Sequence, residues 1–511
     1  MTMDARALVA EEFGSYFDVF DAWAATHPDK PALRDDAGEL TWAQMTDRIE
    51  RIAARLVETG LQRGQSVAIL GTSNIAYALV FLAAVRAGGV AAPLTTSASP
   101  AQLEGMASDS GAKHLFIGRA KADELGPDAL AGYDRVLLDE ELDSWMAPAG
   151  ARAPAFVPQP SDPFNIIYSS GTTGVPKGIV QSHLMRWRQY AGTANSYLKA
   201  GRDARALAST PLYSNTTMVA FLGPLMAGGM VRITSKFKTE RWLAQAEADR
   251  TNVTMLVPVQ YQRLMEEPRF DEFDLSEMEL KYCTSAPFSA ALKAEVLRRM
   301  PGALIEIYSM TEGGVVCILA AHEFPDKLHT VGRPAPGSEL KVLDDADREV
   351  APGEAGNLVG RSQTMMSGYR GQDDKTRESQ WIDPDTGEVW QRMGDIGRID
   401  ADGFVELVGR AKDMIISGGF NIYPSDLEAE LDKEDAVIES AVIGVPSDQW
   451  GETPVGFVVL KPGGDVDAVR EAVNGRVGKT QRLSALHAID EMPRSHIGKL
   501  LKTELRALVN A

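Results

Sequence analysis

The 511-residue chain has only two cysteines, Cys283 and Cys317, which offer no disulfide framework and no thiolate metal spacing. Free thiols in a reducing cytosol are expected. The seven histidines are scattered, with no His-x-x-x-His pair and no Cys/His cluster, so a structural zinc site is excluded. Basic residues are also short. Lys and Arg number 52 against 71 Asp and Glu, a formal charge of −19. That disfavours a nucleic acid as partner, because phosphate backbones are captured by basic faces. A small anion needs only a local patch. The most membrane-like stretch, residues 75–85, is stopped by Arg86 and two glycines, too short for a membrane span. The N-terminus lacks a basic start followed by an apolar run, so no secretion signal is expected. A cytoplasmic protein is the expectation.

What remains is an ordinary globular composition, 44% hydrophobic and 24% charged, long enough for about three lobes. From about 66 to 285, short apolar runs alternate with longer helical ones. SVAIL at 66–70, VAAPL from 90, HLFIG at 114–118, RVLLD at 135–139 and FNIIYSS at 164–170 read as strands. VRITS at 231–235, VTMLVPV at 253–259, LKYCTSA at 280–286 and LIEIYSM at 304–310 continue the rhythm. Residues 74–87 read as an apolar helix closed by two glycines. Residues 140–163, rich in Pro and Ala, are expected as a surface loop. This pattern predicts an α/β fold, with parallel-rich sheets layered by helices and ligands beyond the carboxyl ends of the strands. After about 330 the texture changes to short strands and tight turns, with Asp402-Gly403 a hairpin signal. A small β lobe is expected there. The division expected is residues 1–410 and a small, mobile α+β domain at 411–511, whose last helix starts near Gly498.

The most informative segment is 168–178, YSSGTTGVPKG, directly after a strand-like run. Glycines let backbone N–H groups converge, Ser169, Ser170, Thr172 and Thr173 add hydroxyls, and Lys177 adds charge. That composition suits a polyphosphate. The spacing of a Walker loop is absent.

With this motif the chain resembles the adenylate-forming superfamily of acyl-CoA synthetases, adenylation domains and firefly luciferases. Four further motifs follow in the family's order: Tyr308-Ser309-Met310-Thr311-Glu312, Gly394-Asp395, Gly409-Arg410-Ala411-Lys412-Asp413 running on to Pro424, and Gly498-Lys499. The resemblance implies ATP, Mg²⁺ and coenzyme A as cofactor and co-substrates, with a small carboxylic acid as the other partner; a homodimer is left open. It implies a phosphate cradle from Ser169, Ser170, Gly171, Thr172, Thr173, Gly174 and Lys177, and an adenine site from Ser285, Ala286, Pro287, Glu306, Ile307 and Tyr308. Thr311 would donate to the α-phosphate, Glu312 would hold the metal, Asp395 the ribose, and Arg410 would steady the nucleotide. Lys499 would bridge carboxylate and α-phosphate, where two anions repel and charge must be neutralised. Lys412 would be the hinge of a rotating small domain, and Gly418 and Gly419 would line a tunnel for the pantetheine arm.

Tyr213, Ser214, Asn215, Gly313 and Gly314 are the candidate acyl-pocket residues. The chain departs from the family at four places. Ser214 stands where histidine is expected, Ser309 replaces glycine, Met393 replaces threonine, and Glu306 replaces glutamine. None removes a group the chemistry needs. The expectation is an acid–CoA ligase acting on an aryl or arylalkanoic acid, with a medium-chain fatty acid as alternative. Stand-alone loading of a carrier protein is a second enzyme reading. A pseudoenzyme is disfavoured because Lys499, Glu312 and Asp395 are all present.

Overall fold

A computed structural model describes residues 4–169, 177–417, 420–447, 450–495 and 500–509. The helix Ile75–Arg86 sets the layering of its large lobe. Its sequence, IAYALVFLAAVR, is apolar on every side, and such a helix must be covered all round. Tyr77 through Val85 are fully buried. They share one core with Val67, Ile69 and Phe164 of one sheet and with Ala206, Ala208, Val231 and Met255 of another.

Over the described residues these two sheets have seven and nine strands. The seven-stranded sheet runs Gly368–Tyr369, Lys177–Ser182, Pro163–Ser169, Val90–Pro93, Ser66–Leu70, His114–Ile117, Asp134–Leu137. Its last four pairings are parallel and its first two antiparallel. The nine-stranded sheet has a parallel centre, from Ala303–Met310 through Leu280–Cys283, Val253–Leu256, Arg205–Ala208 and Met230–Ile233 to Pro31–Arg34. Gly313–Ala320 folds back antiparallel on Ala303–Met310. Motif residues 308–312 therefore sit where strand direction reverses, at the carboxyl end of the parallel centre.

An antiparallel sheet of Ser338–Leu343, Gly356–Ser362, Gln380–Ile382, Val389–Ile399 and Val405–Arg410 forms the β lobe. The C-terminal part has its own sheet, with Val437–Ser447 beside Gly451–Leu460, and a core of Ile415, Leu427, Leu431, Val442, Val458 and Val473. The α/β expectation and the β lobe both match. No helix among the described residues is long and apolar enough to cross a membrane. Cys283 and Cys317 are buried and unbonded.

Three local expectations are corrected. The run at 253–259 is a strand only to Leu256. Pro258 begins a helix, where its missing N–H costs nothing. The last helix is Lys502–Val509, because Leu500 bridges Arg494 and the Leu501 N–H donates to the Pro493 carbonyl. The 140–163 segment, expected as a surface loop, carries a short helix and is tied down at several points. It contains the helix Leu142–Trp145, Arg51 and Arg55 donate to the carbonyls of Ala147 and Trp145, and the Ala153 N–H donates to Glu50.

Candidate functional site

The hairpin of Pro163–Ser169 and Lys177–Ser182 supports the candidate phosphate segment, with Ser169 paired to Lys177 in register. Ser170, Gly171, Thr172, Thr173 and Gly174 lie outside the described residues. The stem beneath them is braced. The Tyr168 hydroxyl donates to Asp109 at 2.8 Å, and Arg370 reaches the Asp109 carbonyl and, through its N–H, the Gly178 carbonyl. At the other end, Lys177 places Nζ 5.0 Å from the centre of the Tyr369 ring.

That tyrosine leads to the next motif. The Tyr369 hydroxyl donates to Glu312 Oε1 at 2.9 Å, and the Met366 N–H donates to the Glu312 carbonyl. Beside it, Gln181 donates through Nε2 to the Thr311 carbonyl at 3.0 Å and to Asn215 Oδ1 at 3.4 Å. Gln181 is itself held by the buried Arg186, whose described hydrogen-bond acceptors, from Asn165, Gln189, Tyr190 and Gln181, are all neutral. Gly313 and Gly314 take positive φ angles of 94° and 77°. A Cβ on the first would meet the Thr364 carbonyl at 2.5 Å, and on the second the Met393 sulfur at 2.5 Å. Both glycines thus let the β lobe close on the Thr311–Glu312 corner. Met393, standing in for a hydroxyl residue, packs in that lobe's core.

On the strand Ala303–Met310, side chains alternate in direction. Ile307 packs toward the main core, and its carbonyl accepts from Thr284 Oγ1 at 2.6 Å. Glu306 is buried against Lys293, 2.5 Å away, whose ammonium also donates to the Leu328 and Thr330 carbonyls. Burial pushes the Glu306 carboxyl up to about 7, with Lys293 pulling the other way. The Tyr308 hydroxyl donates to Asp395 Oδ2 at 2.7 Å. Arg410, paired with Asp395 across the strands, forms an ion pair with it, Nε lying 2.9 Å from Oδ1. Ser309 keeps its hydroxyl near the Met310 and Gly313 carbonyls, 3.5 Å from each.

The turn after Leu280–Cys283 carries Ser285, Ala286 and Pro287. Ser285 holds a φ of 84°, a left-handed conformation costly for a residue with a Cβ and frequent at ligand clamps. Its hydroxyl lies 2.5 Å from that of Thr216. Thr216 belongs to the 3₁₀ turn Asn215–Thr217, and Ser214 caps that turn by accepting from the Thr216 N–H. Tyr213, just before, is half-buried. Residues 181, 214–216, 284–285 and 307–312 are therefore one hydrogen-bonded cluster, although they come from four separate stretches of chain.

Lys412 occupies a one-turn 3₁₀ segment, Ala411–Asp413, between the last strand of the β lobe and the first of the C-terminal sheet. Asp413 pairs with Arg506 of the last helix at 3.3 Å. Gly418, Gly419 and Lys499 lie outside the described residues.

Gln181, Thr216, Tyr369, Asp109 and Lys293 were not foreseen as site residues. They are polar side chains spread over two strands, two helices and a turn, outside any glycine-rich motif, so no local signal singles them out. Chemically the cluster offers hydroxyls and amides suited to an anion, with the Glu312 carboxylate at the same corner suited to a cation. Among the described residues no three His, Cys, Asp or Glu side chains gather as a metal site. A hard cation bound through one carboxylate and phosphate oxygens needs no such cage, and Glu312, with only Oε1 occupied by a described donor, fits that role.

Comparison with known proteins agrees with this geometry. Residues 20–370 match the family described as AMP-binding enzyme, and residues 426–499 match AMP-binding enzyme C-terminal domain. The chain is 31% identical to an indoleacetate–CoA ligase of Aromatoleum aromaticum over 96% of its length and 97% of the relative's. It is 32% identical to a feruloyl-CoA synthase of an Amycolatopsis species, covering 94% and 96%. Its fold matches ATP-bound MatB from Rhodopseudomonas palustris with a TM-score of 0.84, at 29% identity over 99% of both chains.

Proposed function

Since the chain belongs to the AMP-binding enzymes, as an AMP-forming acid–CoA ligase, we propose that its substrate is an aryl or arylalkanoic acid. The acid would attack the α-phosphate of ATP, releasing pyrophosphate and forming an acyl adenylate. The CoA thiol would then displace AMP. The observation that carries the substrate class is that relatives named for indoleacetate and ferulate align along almost the whole chain. Ser214 adds support. A small, uncharged side chain beside the Thr216–Ser285 contact leaves room that a histidine would fill.

In this reading the residues divide the work as follows. Ser169, Ser170, Gly171, Thr172, Thr173, Gly174 and Lys177 cradle the phosphates, and Ser285 to Pro287 with Ile307 and Tyr308 enclose the base. Asp395, fixed by Tyr308 and Arg410, presents its carboxylate to the ribose. Thr311 donates to the α-phosphate and Lys499 neutralises charge between the two reacting anions. Glu312 would hold Mg²⁺, which supplies positive charge to the phosphate oxygens. Residues 1–410 and 411–511 would be the two moving bodies, with Lys412 between them and Gly418 and Gly419 beside the incoming thiol.

The test is a panel of acids with ATP and CoA, read as AMP release and thioester formation. Aryl and arylalkanoic acids should give the highest kcat/KM. Preference for medium-chain fatty acids would reject the substrate class. Adenylation without CoA thioester, but with transfer to a carrier protein, would reject CoA as the acceptor.

A further inference from the structure

Tyr369 is tied to both ends of the candidate phosphate site yet belongs to none of the motifs. It lies in the two-residue strand Gly368–Tyr369, paired antiparallel with Lys177–Ser182, so that Tyr369 faces Ile179 in register. Its seat is rigid. The Tyr369 N–H donates to Thr376 Oγ1 at 3.0 Å. The next residue, Arg370, donates its N–H to the Gly178 carbonyl at 2.8 Å and Nε to the Asp109 carbonyl at 2.6 Å. The side chain is buried. Its ring lies under the Lys177 ammonium at 5.0 Å, within the range of a cation–π attraction. Its hydroxyl donates to Glu312 Oε1 at 2.9 Å.

From this double contact we infer that Tyr369 is a positioning residue for the β- and γ-phosphate end of ATP, setting Lys177 and Glu312 at a fixed separation. The inference rests on the proposed function for what the site binds. The physical need is clear. A carboxylate and a polyphosphate repel, so Glu312 is useful only if it is held in one rotamer with one oxygen presented to a cation. The phenol occupies Oε1, and no described residue donates to Oε2. A lysine at the edge of a glycine-rich segment has a flexible stem, and the ring face restricts where its ammonium rests. A phenylalanine would keep the ring and lose the donor; a leucine would lose both.

The test compares Tyr369→Phe and Tyr369→Leu with wild type in the full-length protein, by titration calorimetry with ATP in Mg²⁺ and separately with AMP. ATP affinity should fall roughly threefold in the first and roughly tenfold or more in the second, since one and then both contacts are lost. AMP, which lacks the outer phosphates, should bind within twofold of wild type. In kinetics, the KM for ATP should rise in the same order, while thioester formation from premade acyl adenylate stays unchanged. Equal losses for ATP and AMP, or a parallel loss in the second half-reaction, would mean that the tyrosine only supports the fold, and would overturn the inference. Unchanged ATP affinity in Tyr369→Phe would overturn the hydroxyl's part even if Tyr369→Leu does not fold. A wild type that binds no ATP would sink both this inference and the proposed function. A wild type that binds ATP and is matched by both variants would sink the inference alone.

Discussion

Tyr308 and Asp395, 87 positions apart in the chain, meet through a 2.7 Å hydrogen bond from phenol to carboxylate. The other carboxylate oxygen forms an ion pair with Arg410, 2.9 Å from Nε. Asp395 is thereby held between the nine-stranded sheet and the edge of the β lobe, in one orientation before any nucleotide arrives.

That arrangement predicts different costs for two substitutions. Asp395→Asn removes the charged acceptor proposed for the ribose and should raise the KM for ATP roughly ten- to a hundredfold, the range for a lost hydrogen bond to a charged group. Tyr308→Phe keeps the ring and loses one donor, so its KM for ATP should rise only severalfold. Steady-state kinetics with varied ATP decide. An Asp395→Asn enzyme with wild-type KM would remove Asp395 from the nucleotide site.

Ser214→His should act on substrate choice. The Ser214 hydroxyl caps its turn through the Thr216 N–H, and the residue is buried. A larger ring there overpacks the space and costs about 1–3 kcal/mol against a bulky substrate. In a competition assay, kcat/KM should fall about tenfold more for bulky acids than for slim ones. An equal fall for both would refute the idea that this position makes room.

Lys499→Ala and Lys412→Pro should separate the two half-reactions. Loss of the ammonium should slow adenylation by about a hundredfold or more, the scale of a removed electrostatic stabiliser, and spare thioester formation from premade acyl adenylate. A proline in the Ala411–Asp413 turn fixes one backbone torsion and should slow the second half-reaction instead. Pyrophosphate exchange and thioester assays read the two steps. If both variants fail equally in both, no rotation about this turn is required.

His183 predicts an acid-sensitive fold. It opens the helix His183–Lys199, packs between Phe156 and Phe164, and its buried Nε2 has no hydrogen-bond partner among the described residues. Burial lowers its pKa from 6.5 to about 4. The unfolded chain therefore binds this proton more tightly than the folded one. The associated stability is full above about pH 6.5 and is lost as the pH falls toward 4, up to about 3 kcal/mol. His183→Phe should show a correspondingly shallower acid limb in urea melts between pH 4 and 7. An unchanged slope would assign the acid sensitivity elsewhere.

The sequence made the strand order of chemistry readable but not its cross-links. Residues 66–70, 74–87 and 114–118 declare themselves because a buried parallel strand or helix has to be apolar throughout. The Thr311–Glu312 and Gly394–Asp395 motifs were legible only through the family resemblance, since a Gly-Asp step by itself reads as an ordinary turn. Gln181, Lys293 and Tyr369 were not. Their partners are 130, 13 and 57 residues away, and no local pattern encodes such a meeting. Strand ends were equally hidden at 253–259, where Pro258 starts a helix inside an apolar run. The pinned course of 140–163 depends on Arg51, Arg55 and Glu50 of a distant helix, so its Pro/Ala composition alone suggested only a surface loop.

The pairing of Gly368–Tyr369 with Lys177–Ser182 also has a consequence for biosynthesis. When residue 182 leaves the ribosome, the edge formed by Lys177–Ser182 is an open strand, and its neighbour has yet to be translated. Almost two hundred more amino acids must be added before that edge is covered. The nascent polypeptide thus presents a sticky, half-built sheet to the cell for roughly a third of its translation, the kind of surface that invites aggregation or chaperone capture.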